Sequence, residues 1–275
     1  IDNNSRITPS VVYFGNNGKV IVGEKAKDAI INEKKKVAVD VKRQMENDVM
    51  FDTSKGEWVK NEGKKNSNFT PSQISSLILS KLKEYTDNVH KVVITVPAMF
   101  AEKARSATID AAKIADLEVL ELINEPTAAI LHYSKIPGVN LNGRVMVYDL
   151  GGGTFDVTVA NVKGLKVDII TSRGDKYLGG RDFDNKIVEL FSKKYKKQKG
   201  VEIDINEKKY HEIAEKIKKI LSLKEEVSEV IDGPKGPVKI DVTRAEFEKS
   251  ISEYIEKTKM LIEEVLDDAK CKNNQ

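Results

Sequence analysis

The chain has 275 residues, of which 40% are hydrophobic and 32% charged, and its 46 basic residues nearly balance its 43 acidic ones. A net charge of +3 is too small for a protein that binds nucleic acid through a dense basic stripe, while the hydrophobic fraction is sufficient for a folded core. At about 150 residues per domain, this length predicts one large domain or two small ones.

The composition also bears on the compartment. A single cysteine, Cys271, excludes an internal disulfide framework, and this is typical of a reducing, cytoplasmic environment. No apolar run reaches the length of a membrane span, no secretory leader is visible, and the three scattered histidines form no zinc-binding pattern. We therefore expect no membrane and no nucleic-acid partner. Because the chain begins at Ile1 rather than Met, we expect it to be a piece of a longer protein.

The first third alternates between two kinds of element. Val11–Phe14 and Val20–Val22 flank the turn residues Asn16–Gly18, which predicts a β-hairpin. The segment Asp48–Ser67 is polar and lysine-rich but contains aromatic residues that need burial, so it predicts a small, exposed β-subdomain. Thr70–Gln73 is a capping box that predicts the start of an amphipathic helix.

Strand and helix patterns then alternate, which is typical of an α/β fold. Val92–Val96 is rich in β-branched residues and predicts a strand buried on both faces. A helix over about Glu102–Ala115, a second strand over Val119–Ile123 and a short helix from about Pro126 follow.

The second half begins with an antiparallel meander, because the gaps between its apolar runs are too short for crossover helices. Helices are predicted over Asp182–Lys197 and about Glu207–Leu223, followed by a β-ribbon over Glu226–Val242 with its turn at Asp232–Pro234. Thr243–Glu246 is a second capping box and opens the last helix.

The segment Asp149–Asp156, with the sequence DLGGGTFD, is the strongest chemical signal. Three successive glycines between two strands allow backbone amides to approach an anionic ligand closely. The Thr154 hydroxyl adds a donor, and the aspartates at the two ends could hold a hydrated Mg²⁺. The alternative is a flexible hairpin turn with two solvent-facing aspartates. The chain has no GxxxxGK[ST] motif and no GxGxxG motif that opens a helix, so neither a Walker nor a Rossmann site is predicted.

The same segment closely resembles the nucleotide-binding domain of the DnaK-type, 70-kDa heat-shock chaperone family. Four further segments match that family in the same order along the chain: Arg6–Val12, Ile94–Ala98, Ile123–Ala129 and Leu178–Asp184. The resemblance implies an α/β fold of the actin-like ATPase (ribonuclease-H-like) type, with two lobes around a nucleotide cleft. It places lobe I at 1–149, with an outer part at about 9–69 and an inner part at about 70–149. Lobe II is then 150–275, with an inner part at about 150–178 and 253–275 and an outer part at about 179–252.

The resemblance also implies roles for individual residues in binding ATP or ADP with Mg²⁺, and K⁺ is a further candidate ion. Lys42 is implied to position the γ-phosphate and the attacking water, and Glu125 to orient that water. Asp149, Asp156 and Glu125 are implied to hold Mg²⁺, mostly through water. From the residues alone, Lys42 is one lysine in a charged stretch and Glu125 is an acid in the first turn of a helix, where the dipole favours it.

The implied nucleotide contacts fall into three groups: the second phosphate loop Gly151, Gly152, Gly153 and Thr154; the pair Gly179 and Gly180; and the helical residues Glu215, Lys218, Lys219 and Ser222. The last group has the spacing of one helix face, which by itself also fits a solvated surface. Two positions depart from the family, which usually has Arg where Lys219 stands and an acid where Arg181 stands. Pro97 and Arg105 match positions that the family links to communication between lobes.

Parts of the family pattern are absent from the sequence. The first phosphate hairpin would precede Ile1, and the last adenosine motif, its closing elements and the substrate-binding domain would follow Gln275, so the expected domain is truncated at both termini. The resemblance implies a J-domain co-chaperone, a nucleotide-exchange factor and, through the absent domain, unfolded client peptides as partners. Three functions remain open: an ATP-hydrolysing chaperone domain, a catalytically inert fragment that acts as a co-chaperone interaction module, and a filament-forming actin relative.

Overall fold

The computed structural model describes residues 7–30, 36–63 and 68–270, so Arg6 and Cys271 lie outside the described residues. The described residues divide into two compact units. The first lies within Ile1–Val145 and includes Ala160–Ile169, and the second lies within Met146–Val159 and Ile170–Gln275. Within the described parts of the chain, no helix has the length and apolar character needed to cross a bilayer.

The first unit contains strands β1 to β8 and helices α1 to α5. In chain order they are β1 (Val12–Phe14), β2 (Val20–Val22), α1 (Glu24–Asp28), β3 (Val37–Ala38), α2 (Val41–Gln44), β4 (Val49–Asp52), β5 (Glu57–Lys60), β6 (Asn68–Phe69), α3 (Pro71–Lys83), β7 (Lys91–Val96), α4 (Glu102–Ile114), β8 (Glu118–Asn124) and α5 (Glu125–Tyr133). As far as the unit is described, these strands form three small sheets with the orders β2-β1-β3, β5-β4-β6 and β7-β8.

The predicted N-terminal hairpin and lysine-rich β-subdomain are both present. Strands β1 and β2 pair antiparallel around the turn at Asn16–Gly18. Of the aromatic residues in the lysine-rich segment, Phe51 is buried, and the half-buried Trp58 meets it edge-on with ring centroids 5.5 Å apart. Thr70 and Gln73 form both hydrogen bonds of the predicted capping box at the start of α3.

The prediction that the Val92–Val96 strand is buried on both faces is wrong. Strands β7 and β8 form a two-stranded parallel sheet, and Val92 and Ile94 pack toward a small cluster that includes Ala112 of α4. Successive side chains of a strand point to opposite faces. Val93 therefore lies on the opposite face and is 52% exposed. An apolar run in the sequence shows that a strand could be buried on both faces. It does not show whether another element packs against the second face.

The second unit contains β9 (Gly143–Leu150), β10 (Phe155–Lys163), β11 (Lys166–Asp175), α6 (Gly180–Lys199), α7 (Lys208–Leu221), β12 (Glu226–Gly233), β13 (Gly236–Thr243) and α8 (Arg244–Asp268), apart from the strand ends that belong to the first unit. The first three strands form a sheet in the order β11-β10-β9, and their short connections make them antiparallel, as predicted. One core lies between this sheet and α8, and a second joins α6 and α7 to the β12–β13 ribbon.

The ribbon turn lies slightly later in the chain than predicted. Gly233 pairs with Gly236, so Pro234 and Lys235 are the two turn residues rather than Asp232–Pro234. Gly236 has a φ of +82°, a conformation that residues with a side chain rarely adopt, and this fixes the end of the turn. The second predicted capping box, between Thr243 and Glu246, is formed at the start of α8.

Candidate functional site

The glycine loop connects β9 to β10 as a tight hairpin. The Gly151 amide donates a hydrogen bond of 2.9 Å to the Thr154 carbonyl. If the pairing of Gly151 with Thr154 is continued along β9 and β10, Leu150 lies opposite Phe155 and Asp149 lies opposite Asp156. Residues that lie directly opposite each other in a sheet project from the same face. Asp156 is buried, with 3% of its surface exposed, and Asp149 is half-buried. The geometry therefore places two carboxylates beside the loop, and they are not the solvent-facing aspartates of a simple flexible turn.

The N-terminus of α6 packs against this loop through backbone contacts. The Gly180 amide donates to the Gly151 carbonyl at 3.0 Å, and the Arg181 amide donates to the Gly152 carbonyl at 2.9 Å. A Cβ added to Gly179 would lie 2.7 Å from the Gly153 nitrogen and 2.8 Å from the Gly152 carbonyl carbon. Residues 151–153 and 179–180 thus form one rigid surface of backbone, which we call the glycine cradle.

A buried ion pair lies at the edge of the glycine cradle. The Lys218 ammonium is 2.7 Å from Asp184 Oδ1 and donates a hydrogen bond of 2.7 Å to the Gly180 carbonyl. Burial raises the pKa of the Asp184 carboxyl, while the hydrogen bond and charge of Lys218 oppose that rise. Asp184 lies in a segment that resembles the family, but sequence reasoning assigned it no role. The sequence of α6 alone does not indicate that this acid pairs with a lysine of α7.

The predicted helix face on α7 is divided between two environments. Lys218 points to the cradle, whereas Lys219 forms an ion pair of 2.7 Å with Glu215 one turn earlier. Ser222 follows the last residue of α7 and donates to the Lys218 carbonyl at 3.4 Å. Arg181 stands where the family usually has an acid. Its burial lowers the pKa of the guanidinium, while the negative charges of Asp184, Asp182 and Glu215 act in the opposite direction and raise it.

In the first unit, the structure brings together Lys42 and Glu125, which are 83 residues apart in the chain. The Lys42 ammonium donates to both carboxylate oxygens of Glu125, at 2.8 and 3.1 Å. Lys42 lies in the single-turn helix α2, which follows Asp40 in the left-handed region (φ +61°), and Glu125 is the first residue of α5. Lys42 is thus held in a defined pair, while its side chain remains 46% exposed.

Arg105 fixes the backbone around this pair. Its guanidinium donates to the Phe100 carbonyl at 2.9 Å and to the side chain of Asn124 at 2.7 Å. Asn124 is the last residue of β8 and directly precedes Glu125, so Arg105 links helix α4 to the end of β8, next to the residue that begins α5. The Arg105 side chain is half-buried.

A cavity of about 230 Å³ lies beside the Lys42–Glu125 pair, within the first unit. Its wall is mostly apolar and includes Met45, Ile78 and Pro97. The paired charges therefore border an apolar recess.

The predicted site residues fall into two groups. Lys42 and Glu125 belong to the first unit; Asp149, Asp156, the cradle and the α7 residues belong to the second. Among the described residues, no three His, Cys, Asp or Glu side chains cluster as a closed metal site. Mg²⁺ is commonly bound by only one or two carboxylates together with substrate phosphates, so the donor set of Asp149 and Asp156 fits that ion.

The glycine cradle thus lies beside the carboxylates of two strands, and the chain has neither a Walker nor a Rossmann motif. The family model described as Hsp70 protein matches residues 1–275, and the chain belongs to the Hsp70 family. This family implies the actin-like ATPase fold, and the mixed α/β architecture with small sheets is in accord with it.

The curated relatives are chaperones. The chain is 37% identical to the chaperone protein DnaK of Thermotoga neapolitana over 97% of its length, and 37% identical to that of Thermosipho africanus over 98%. The DnaK of Thermosipho melanesiensis is 36% identical over 98% of the chain. In each case the match covers 45% of the relative, so the chain spans about half the length of the curated relatives it matches.

Proposed function

We propose that this chain is the nucleotide-binding part of a molecular chaperone that binds and hydrolyses ATP to assist protein folding. The observation that supports it most is the glycine cradle, in which α6 is packed on the DLGGGTFD loop so closely that position 179 has no room for a side chain. Such a surface of backbone beside carboxylates suits a phosphate chain. The relatives named as chaperone protein DnaK support the chaperone role.

The family resemblance suggests a role for each residue. The glycine cradle, which consists of Gly151, Gly152, Gly153, Gly179 and Gly180, binds the phosphates together with Thr154. We assign Glu215, Lys218, Lys219 and Ser222 to binding the nucleoside. Asp149 and Asp156, with Glu125 through water, would hold Mg²⁺, which supplies charge neutralisation on the phosphates. K⁺ is a further candidate ion.

The hydrolytic step uses Lys42 and Glu125. Glu125 accepts a hydrogen bond from the attacking water and orients it, while the fixed Lys42 ammonium stabilises negative charge on the γ-phosphoryl oxygens. In phosphoryl transfer, positioning and electrostatic stabilisation supply most of the rate enhancement. The bidentate contact of 2.8 and 3.1 Å keeps both groups in place before a substrate arrives.

The family also suggests the wider organisation. We propose two lobes around a nucleotide cleft, lobe I at 1–149 and lobe II at 150–275, in a cytoplasmic protein. A J-domain co-chaperone and a nucleotide-exchange factor are the proposed partners, and client peptides would bind to a domain outside this chain.

The test is isothermal titration of the chain with Mg·ATP and Mg·ADP, together with a single-turnover hydrolysis assay. We expect saturable binding and a slow turnover that Lys42→Ala abolishes while nucleotide still binds. Lys81→Ala, which removes a surface ion pair with Glu84 at 2.8 Å on α3, is the matched control and should retain both properties. A folded sample that gives neither heat nor turnover would refute hydrolysis by this chain and favour the inert interaction module.

A further inference from the structure

Asp184 is a buried acid for which the hydrolytic step has no use. Its side chain is only 10% exposed, and its Lys218 partner is 22% exposed. Removing a carboxylate and an ammonium from water costs several kcal/mol per ion, and a close pair at best recovers this cost. A buried pair is therefore weak evidence for a stabilising role, and its position suggests what else it does.

The contacts of this pair form a continuous series that ends at the glycine loop. Asp184 contacts the Lys218 ammonium, which donates to the Gly180 carbonyl. The amide of the same Gly180 donates to the Gly151 carbonyl. A Cβ at position 180 would lie 3.1 Å from the Lys218 nitrogen, so the ammonium sits directly on this glycine.

Lys218 needs such a partner to stay on Gly180. A lysine side chain is a flexible four-carbon stem with a strongly hydrated charge, and without a fixed anion it gains rotamer freedom and water contacts by moving away. The other charged groups around the pair are Arg181 and Asp182 on α6 and Glu215 on α7. Asp184 is the acid within 2.7 Å of the ammonium.

We propose that Asp184 is a positioning residue that holds the Lys218 ammonium on the Gly180 carbonyl and thereby keeps the glycine cradle in the shape that accepts a phosphate chain. The inference rests on the proposed nucleotide-binding function and adds to it a residue that determines how the phosphates are held. Asp184 does not touch the nucleotide. Its effect reaches the ligand through Lys218 and the backbone of residues 180 and 151.

The first experiment compares ligands with and without phosphates. Mg·ADP and adenosine are titrated into wild type, Asp184→Ala and Asp184→Asn. The asparagine has the shape of the aspartate without its charge, so this variant serves if the alanine variant does not fold. Because a charged hydrogen bond is lost, we expect Mg·ADP to bind about tenfold more weakly to the variants. Adenosine should lose less, no more than about threefold, because Lys218 is itself assigned to the nucleoside. An equal loss for both ligands, or no loss for either, overturns the proposal.

The control is Glu229→Gln, which breaks a 3.1 Å ion pair between Lys216 of the same helix α7 and the β12 strand, away from the cradle. It should leave the affinity for both ligands unchanged. If Glu229→Gln weakens Mg·ADP binding as much as the Asp184 variants do, the effect is a general one on α7 and Asp184 is not a positioning residue.

A ligand-free readout separates this inference from the proposed function. Hydrogen exchange of the amides of Gly151, Gly180 and Arg181, which donate the bonds within and around the cradle, should be at least severalfold faster in Asp184→Asn than in wild type. Failure of the wild-type chain to bind any nucleotide refutes the proposed function, while the exchange rates still decide the role of Asp184. Unchanged exchange in a folded variant overturns that role.

Discussion

Gly179 lies against the backbone nitrogen of Gly153 so closely that no side chain fits at position 179. A Cβ there would lie 2.7 Å from that nitrogen and 2.9 Å from the Gly151 carbonyl oxygen. Each atom it would meet belongs to the backbone, so no side chain can rotate to make room. An alanine would have to separate helix α6 from the loop between β9 and β10.

We therefore predict that Gly179→Ala lowers the free energy of unfolding by about 1–3 kcal/mol, the usual cost of overpacking a filled site. Gly152→Ala is the matched control, because a Cβ at that position meets no atom within 4 Å. Its effect should stay within about 0.5 kcal/mol. Urea denaturation of both variants measures the difference, and equal effects would show that the contact between the loop and α6 is not tight in solution.

The Lys42–Glu125 pair should matter much more for hydrolysis than for stability. Its side chains are 46% and 23% exposed, and such ion pairs contribute about 0–1 kcal/mol. We predict that Glu125→Gln changes the free energy of unfolding by less than about 1 kcal/mol but slows single-turnover hydrolysis at least a hundredfold, because the amide oxygen lacks the negative charge that makes the carboxylate a strong acceptor for the water.

Comparison with Glu84→Gln provides the control for that prediction, since Glu84 forms an exposed ion pair with Lys81 on α3. It should have a similarly small effect on unfolding and none on hydrolysis. A Glu125→Gln variant that hydrolyses ATP at the wild-type rate would exclude Glu125 from the reaction.

The features that the sequence predicted correctly are local ones. Both capping boxes form because each joins residues only three apart, and their hydrogen-bond geometry is complete within one turn. The glycine-rich hairpin is equally local, since a hairpin with a short loop depends on the residues between its strands. Such signals need no knowledge of the rest of the fold.

The features that sequence reasoning missed depend on distant partners. Arg105 bonds to Asn124 from another element, and Asp184 meets Lys218 from the next helix. The exposed face of β7 was missed for a related reason: Val93 has the same β-branched side chain as the half-buried Val92. Only the placement of the surrounding elements distinguishes them.

Tyr195 anchors the turn of the β12–β13 ribbon to helix α6. Its ring is fully buried, and its hydroxyl donates to the Gly236 carbonyl at 2.8 Å and accepts from the Lys235 amide at 2.9 Å. We predict that Tyr195→Phe lowers the free energy of unfolding by about 1–3 kcal/mol, because two backbone groups lose their partner while the ring stays in place. Tyr133→Phe, at a ring that is 57% exposed, should have almost no effect in the same denaturation experiment. If the two variants unfold alike, the hydroxyl of Tyr195 does not hold the turn.

Glu246 should give the second capping box a dependence on pH. Burial would raise the pKa of this carboxyl, but hydrogen bonds from Lys194 and from Thr243 outweigh it and hold the pKa below its ordinary value of 4.5. Because the pKa is lower in the folded than in the unfolded protein, the stabilisation is present above about pH 4.5 and is lost as the pH falls through the lowered value.

We predict that Glu246→Gln costs about 0.5–2 kcal/mol of unfolding free energy at pH 7, a typical value for a helix cap, and that the gap to wild type narrows as the pH is lowered below 4.5. Urea denaturation at several pH values between 7 and 3 measures the gap. Glu248→Gln, at an exposed position on the same helix, should show the same dependence of unfolding free energy on pH as wild type. A gap for Glu246→Gln that stays constant over this range would mean that the carboxylate charge contributes nothing and that only the shape of the side chain matters.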